Sequence, residues 1–181
     1  MDANFDQILK ELSLSFKEME LDTEILERIE DAKGIFVKGC GRTGFIMNMF
    51  AMRLVHLGRN AHVVGETTSG KAGPEDVLFL GSGSGETESL LAVAKKAKRL
   101  GMNLILFTAN KSSSLARMSD HVILLKARGK YDAQEESISR QPMGALFEQG
   151  LMIYLDGIVM AEMARGNVTN EAMQERHANL E

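Results

Sequence analysis

The stretch Ser82-Gly83-Ser84-Gly85-Glu86-Thr87 stands between an apolar run, Val77 to Gly81, and a helical pattern, Glu88 to Leu100. Strand, Ser/Gly loop, helix is the order it dictates. Such a turn aims several backbone N–H groups and hydroxyls at one point, at the positive end of a helix dipole. The glycines let the backbone approach closely and the hydroxyls supply neutral donors, so a phosphate is the natural occupant. No lysine follows in the Walker manner, which excludes a P-loop nucleotide site. The plain alternative is a tight turn with a serine N-cap.

The same order recurs along the chain. Residues 3–31 carry helical spacing in Phe5, Ile8, Leu9, Leu12 and again in Ile25, Leu26, Ile29, with a break at Leu21-Asp22-Thr23. This segment packs either on its own domain or on a partner. Strands are expected at 34–39, 61–65, 77–81, 103–108 and 121–125, alternating with helices at 45–57, 88–100, after 114, and from near Pro142 to about Arg165. Near-continuous apolar strands alternating with helices argue for α/β architecture: a three-layer sandwich with a five-stranded parallel sheet flanked by helices, Rossmann-like or flavodoxin-like. Ligands in such sheets sit outside the carboxyl ends of the strands, where the polar loops 41–44, 65–69 and 82–87 should converge. The 181 residues are read as one domain, with 1–31 an N-terminal helical segment and 166–181 a tail.

Composition narrows the classes. Net charge of -4 gives no overall case for nucleic acid. A single cysteine, Cys40, forms no internal disulfide and fits a cytoplasmic location. The long apolar helix near 143–164 contains Glu148, Asp156 and Glu162, against a membrane span. The four histidines (56, 62, 121, 177) are scattered, with no metal-ligand cluster, and no cofactor is expected.

Gly39, Gly41 and Gly44 give a Gly-x-Gly-x-x-Gly look, but Arg42 and Thr43 stand where dinucleotide sites favour small uncharged residues, and they suit a sugar phosphate better. Cys40 reads as a small packed residue rather than a nucleophile. In the apolar helix, Glu148 is expected to be paired or functional, whereas Asp156 is more simply a satisfied helix carboxylate.

Taken together, Gly39-Cys40-Gly41-Arg42-Thr43-Gly44, Phe50 to Gly58, Val64-Gly65-Glu66-Thr67-Thr68, Gly81 to Thr87, Pro142 to Glu148 and the ending Arg176-His177-Ala178-Asn179-Leu180 resemble the 6-phospho-3-hexuloisomerases of the sugar isomerase (SIS) domain superfamily. The resemblance covers essentially the whole chain. It implies interconversion of 3-hexulose 6-phosphate and fructose 6-phosphate in the ribulose monophosphate pathway (formaldehyde fixation or pentose phosphate synthesis). It also implies a homotetramer whose tail completes a neighbour's site, and functional coupling with hexulose-6-phosphate synthase. One departure is Thr43, where the family usually has Ser; the added methyl is expected to tighten the phosphate pocket. The 126–141 connection also looks longer than in many relatives.

Moving a carbonyl from C3 to C2 passes through a cis-enediol, and one carboxylate on one face can carry the proton with no metal or redox cofactor. Glu148 is the candidate base, in an apolar setting expected to raise its pKa. His177 is the candidate for moving the proton between O2 and O3, in a neighbouring subunit's site. Thr43, Ser82, Ser84 and Thr87, with the backbone of Gly83 and Gly85, are expected to hold the phosphate. Arg42 or Arg53 balances charge, and Glu66, Thr67 and Glu86 border the sugar hydroxyls. The rivals are another aldose–ketose isomerase on the same fold and a non-catalytic sugar-phosphate sensor.

Overall fold

The computed structural model describes residues 2–127 and 139–180. The sheet is built from β1 (Ile35–Lys38), β2 (Ala61–Val63), β3 (Val77–Gly81), β4 (Asn103–Thr108) and β5 (His121–Leu124). All neighbours are parallel, in the order β2-β1-β3-β4-β5. The chain leaves β1 to one side and returns to its other side for β3, which puts the topological switch point, where such sheets bind ligands, between these two strands.

The strand sequences explain why both faces are covered. Along β3, Val77 and Phe79 enter one core, and Leu78 and Leu80 enter the other. The same alternation runs through β1 and β4 and follows from the two-residue period of a strand. One core is completed by α2 (Thr23–Asp31), α3 (Gly41–His56) and α6 (Ala145–Gly166), the other by α4 (Glu88–Arg99) and α5 (Ser114–Met118). The expected three layers are thus present.

Outside this sandwich, α1 (Ala3–Phe16) lies on α6, with Leu12 and Phe16 against the core. The N-terminal helix therefore packs on its own chain, though Phe5 and Leu9 remain exposed. Asp2 and Asp22 cap α1 and α2, and Asp22 marks the break expected there. At the other end, α7 (Asn170–Gln174) rests on α3.

One expectation changes. The loop read at 41–44 is already the first turn of α3, because Gly39 and Gly44 let the strand-to-helix turn close on itself: a Cβ at Gly39 would meet the Thr43 carbonyl at 2.9 Å. Burial of α6 is incomplete, since Met152, Ile153 and Met160 stay exposed on its outer face, as do Phe45, Met49, Met52 and Val55 on α3. Of the 126–141 connection, residues 128–138 lie outside the described residues.

Candidate active site

The Ser82–Thr87 loop leaves the carboxyl end of β3 and is held from several sides. Ser82 is buried; its N–H donates to Phe107 O, and its hydroxyl accepts from Gly85 N at 3.1 Å while facing Thr87 Oγ1 at 3.3 Å. The Gly83 carbonyl accepts from Ala109 N and from Thr108 Oγ1. Asn110 Nδ2 donates to the Ser84 carbonyl, and Leu115 N to that of Gly85. Gly85 has a φ of +66°, and a Cβ there would fall 2.0 Å from Ser113 Oγ, so only glycine fits. The polar loop after β4 thus braces the one after β3, a role with no local signal in the sequence.

Helix capping divides the helices into two groups. Helices α1, α2, α5 and α7 each begin with a side chain, from Asp2, Asp22, Ser113 and Thr169, accepting from a first-turn N–H. The N-caps of α3, α4 and α6 (Cys40, Thr87 and Gly144) make no such bond. Thr87 is a residue well suited to capping, yet its hydroxyl faces Ser82 instead. Some first-turn N–H groups here have backbone partners, Leu90 N to the Thr87 carbonyl and Ala145 N to the Pro142 carbonyl; for the others, which a helix cannot satisfy internally, the positive dipole ends favour an outside anion.

The three helix ends are joined by side chains. Glu148, in the first turn of α6 and 16% exposed, accepts from Arg42 Nε in the first turn of α3 at 2.5 Å. Its neighbour Phe147 is buried against the loop, where a Cβ on Gly83 would lie 3.2 Å from the ring. The carboxylate is therefore carried at the rim of the phosphate-type cradle. The apolar setting expected for Glu148 holds on the Phe147 side only, because a guanidinium occupies the other. Thr43 is buried with its methyl toward Gly81, where a Cβ would meet Cγ2 at 2.9 Å. The extra methyl thus packs on the strand rather than narrowing the loop.

Glu86 is exposed and accepts from Ser114 N at 2.7 Å; that backbone bond, then the Ser114 side chain, holds its carboxyl below the ordinary range. It is tied to α5 rather than turned to the loop. Glu66 and Thr67 follow β2, two strands from β3, or roughly 10 Å at usual strand spacing. Glu66 lines a cavity of about 290 Å³ with Lys38, Gly41, Asn48 and Gly65. Lys38 donates to the Val64 carbonyl at 2.7 Å. A larger cavity of about 470 Å³ opens between the 64–72 segment and α4, but its lining is mainly apolar and it has no share in the converging helix ends. Cys40 is exposed, with Sγ 3.3 Å from Ser89 Oγ, and is not the packed residue expected. Asp156 sits on the exposed face of α6, whereas the buried Glu162 pairs with Arg59 at 2.6 Å.

Arg53 and His177 are not brought to this chain's own loop. Arg53 lies eleven residues beyond Arg42 on α3, about 16 Å along the helix. There the His177 ring stacks on that of the buried His56 at 5.1 Å, and Arg176 donates to the His56 carbonyl. Two of the histidines that are scattered in sequence thus meet. Burial first, then the charges of His177 and Arg53, pull the His56 pKa down.

Known proteins bear on this arrangement. The SIS domain family model matches residues 28–152. The chain is similar to the 3-hexulose-6-phosphate isomerase of Bacillus subtilis strain 168, 37% identical over 177 residues that take in 97% of this chain and 96% of the relative. It is 40% identical to that of Methanocaldococcus jannaschii over 157 residues, 86% of this chain and 82% of the relative. A crystal structure from Methanococcus jannaschii, from which a molecular function of 3-hexulose-6-phosphate isomerase was inferred, matches with a TM-score of 0.86 at 35% identity, covering 98% of this chain and 99% of that one.

Proposed function

The chain belongs to the SIS domain family, and we propose that it is an isomerase of the ribulose monophosphate pathway, interconverting 3-hexulose 6-phosphate and fructose 6-phosphate. The observation that carries this reading is the meeting of three uncapped helix ends and a hydroxyl-lined loop with one carboxylate, Glu148, at their rim. A phosphate with no other function would need the cradle but not the carboxylate.

In the proposed reaction the phosphate lies against Ser82, Ser84 and Thr87 and the first turn of α4. Glu148 takes the proton from C2 of the 3-ketose. The C–H electron pair becomes the C2=C3 bond, and the carbonyl electrons pass to O3. Arg42 releases its hold on the base and steadies the enediolate, whose charge a fixed guanidinium lowers in energy. A proton moves from O2 to O3, and Glu148 returns its proton to C3, leaving the carbonyl at C2. A positioned acid–base group of this kind contributes about 10²–10⁴-fold in rate.

His177 is the proposed carrier of the O2-to-O3 proton, acting in another copy's site. The distance between the His56–His177 pair and this chain's own loop favours that assignment. So do the apolar residues exposed on α3 and α6, two helices in contact, whose outer faces suit a subunit interface in a homotetramer. The whole chain is read as one such domain working on small cytoplasmic sugar phosphates; among the described residues no helix is long and apolar enough to cross a membrane.

The test is proton exchange with fructose 6-phosphate in D2O, followed by NMR. Deuterium should enter at C3, and a Glu148→Gln variant should lose this while still binding inorganic phosphate. Exchange at C1 would assign the chain to C1–C2 isomerisation. Binding without any exchange would make it a sensor.

A further inference from the structure

Glu11 is a carboxylate that neither the cradle nor the fold obviously needs. It lies on α1, more than 120 residues before the segment it contacts, and is 1% exposed. Two donors reach Oε1, Gln7 Nε2 and the Arg140 N–H, each at 2.8 Å. Two reach Oε2, Ser139 Oγ at 2.7 Å and Gln141 Nε2 at 2.8 Å. A carboxylate offers about four acceptor sites, and here four donors use them. Burial would push this carboxyl up, but the Arg140 N–H and the side chains of Gln7, Gln141 and Ser139 together outweigh it and hold the pKa at about 2.

Three of those donors belong to the last residues before the turn into α6. That turn is short and stiff. Pro142 fixes its own φ, and Met143 adopts a φ of 58°, a left-handed conformation that a residue with a side chain resists. Gly144 then caps α6 without a side-chain bond, and Glu148 N donates to its carbonyl at 3.0 Å. Met143 itself is 67% exposed, so its own packing does not hold this conformation. A strained conformer persists only where its surroundings over-determine it. The Ala145 N–H closes the turn on the Pro142 carbonyl at 3.2 Å, and the surroundings that place it are Glu11 on the upstream side and the Phe147 contact with Gly83 on the downstream side.

We propose that Glu11 is a positioning residue for the isomerisation: from α1 its carboxylate fixes Ser139–Gln141, and through the Pro142–Gly144 turn it sets where α6 presents Glu148. This rests on the isomerase reading given above. The role demands a carboxylate. In Glu11→Gln, one acceptor oxygen becomes an NH2 group facing donors, and the stem must shift to relieve it. A shift of about 1 Å at a reacting group can cost as much as 10²-fold in rate.

The experiment uses the full chain, comparing wild type, Glu11→Gln, Gln141→Leu and the double variant. Steady-state kinetics, C3 deuterium exchange, inorganic phosphate affinity and Tm are measured well below every transition. Glu11→Gln should lower kcat by about 10–10²-fold while KM and phosphate affinity stay within about twofold, because the loop after β3 is untouched. Gln141→Leu removes one arm and should lower kcat less. The double variant should be no slower than Glu11→Gln, since the two act through one network.

A lowered Tm with unchanged kcat, or phosphate affinity falling in step with kcat, overturns the inference. Where Glu11→Gln fails to fold, Gln141→Leu decides alone: kcat unchanged overturns, kcat lowered at constant phosphate affinity supports. Wild-type protein that exchanges no sugar proton overturns the isomerase reading and this inference with it, whereas normal wild-type exchange with unaffected variants overturns only the inference.

Discussion

Gly85→Ala perturbs the phosphate-type loop at its tightest point. The new Cβ would fall 2.0 Å from Ser113 Oγ and 2.4 Å from Ser113 Cβ, so something must move. Ser113 is fully buried, and its hydroxyl accepts from Ala116 N at 3.2 Å as the cap of α5. Displacing it costs about 1 kcal/mol for the cap. Alanine at a φ of +66° adds about 1–2 kcal/mol. A loss of roughly 2–3 kcal/mol lowers Tm by about 5–10 °C in a chain of this length. The Gly85 N–H also donates to Ser82 Oγ, so the cradle shifts with it, and affinity for inorganic phosphate should fall by about tenfold, equivalent to ~1.4 kcal/mol. Calorimetry and isothermal titration measure both effects. In a Ser113→Gly background the same alanine should cost less, because the clash is gone and only the backbone strain remains. A Tm within a degree of wild type with unchanged phosphate affinity would refute the reasoning, as would an equal cost in the two backgrounds.

Other perturbations follow from the same geometry. The Glu11 carboxyl, at about 2 when folded against an ordinary 4.5, binds its proton more readily in the unfolded chain. Its stabilisation is therefore present above pH 4.5 and lost as pH falls toward 2, a loss on the order of 2–3 kcal/mol; acid-unfolding curves of Glu11→Gln should be flatter across that window. His56, with its pKa held below 6.5, makes the opposite residue type behave the same way: the unfolded state takes up a proton first, so stability declines as pH drops below 6.5, and His56→Gln should flatten that decline. Phe45, 71% exposed on the outer face of α3, should anchor self-association, so Phe45→Asp is expected to reduce the mass measured by light scattering without lowering Tm by more than a few degrees.

The fold was legible because its signals are local. An apolar strand, a Ser/Gly loop and a helical pattern are contiguous, and the strand order follows from a few topological rules. The strand–loop–helix setting of residues 82–87 was legible on the same ground. What was hidden depends on distant partners. Nothing near Glu11 announces Gln141, and nothing near His56 announces His177. The start of α3 at Gly41 was missed because its glycines are judged weak helix formers, while the decisive fact is how closely Gly39 and Gly44 approach. Cys40 was misjudged because a small apolar residue beside a strand is normally inside; here it is the exposed N-cap residue of α3.

The three bare helix ends also bear on how this protein can be made hardier. A side-chain cap is worth about 1 kcal/mol over a residue that cannot cap and only a few tenths over glycine, so the chain forgoes on the order of 2 kcal/mol at α3, α4 and α6. A thermostability screen would find its easiest gains there, with Asp or Asn replacing Cys40 or Gly144. Each gain would put an internal acceptor, or a negative charge, at the rim of the proposed phosphate site. Robustness and substrate affinity thus compete for the same few N–H groups, and hardening is better sought at the far end of the sheet.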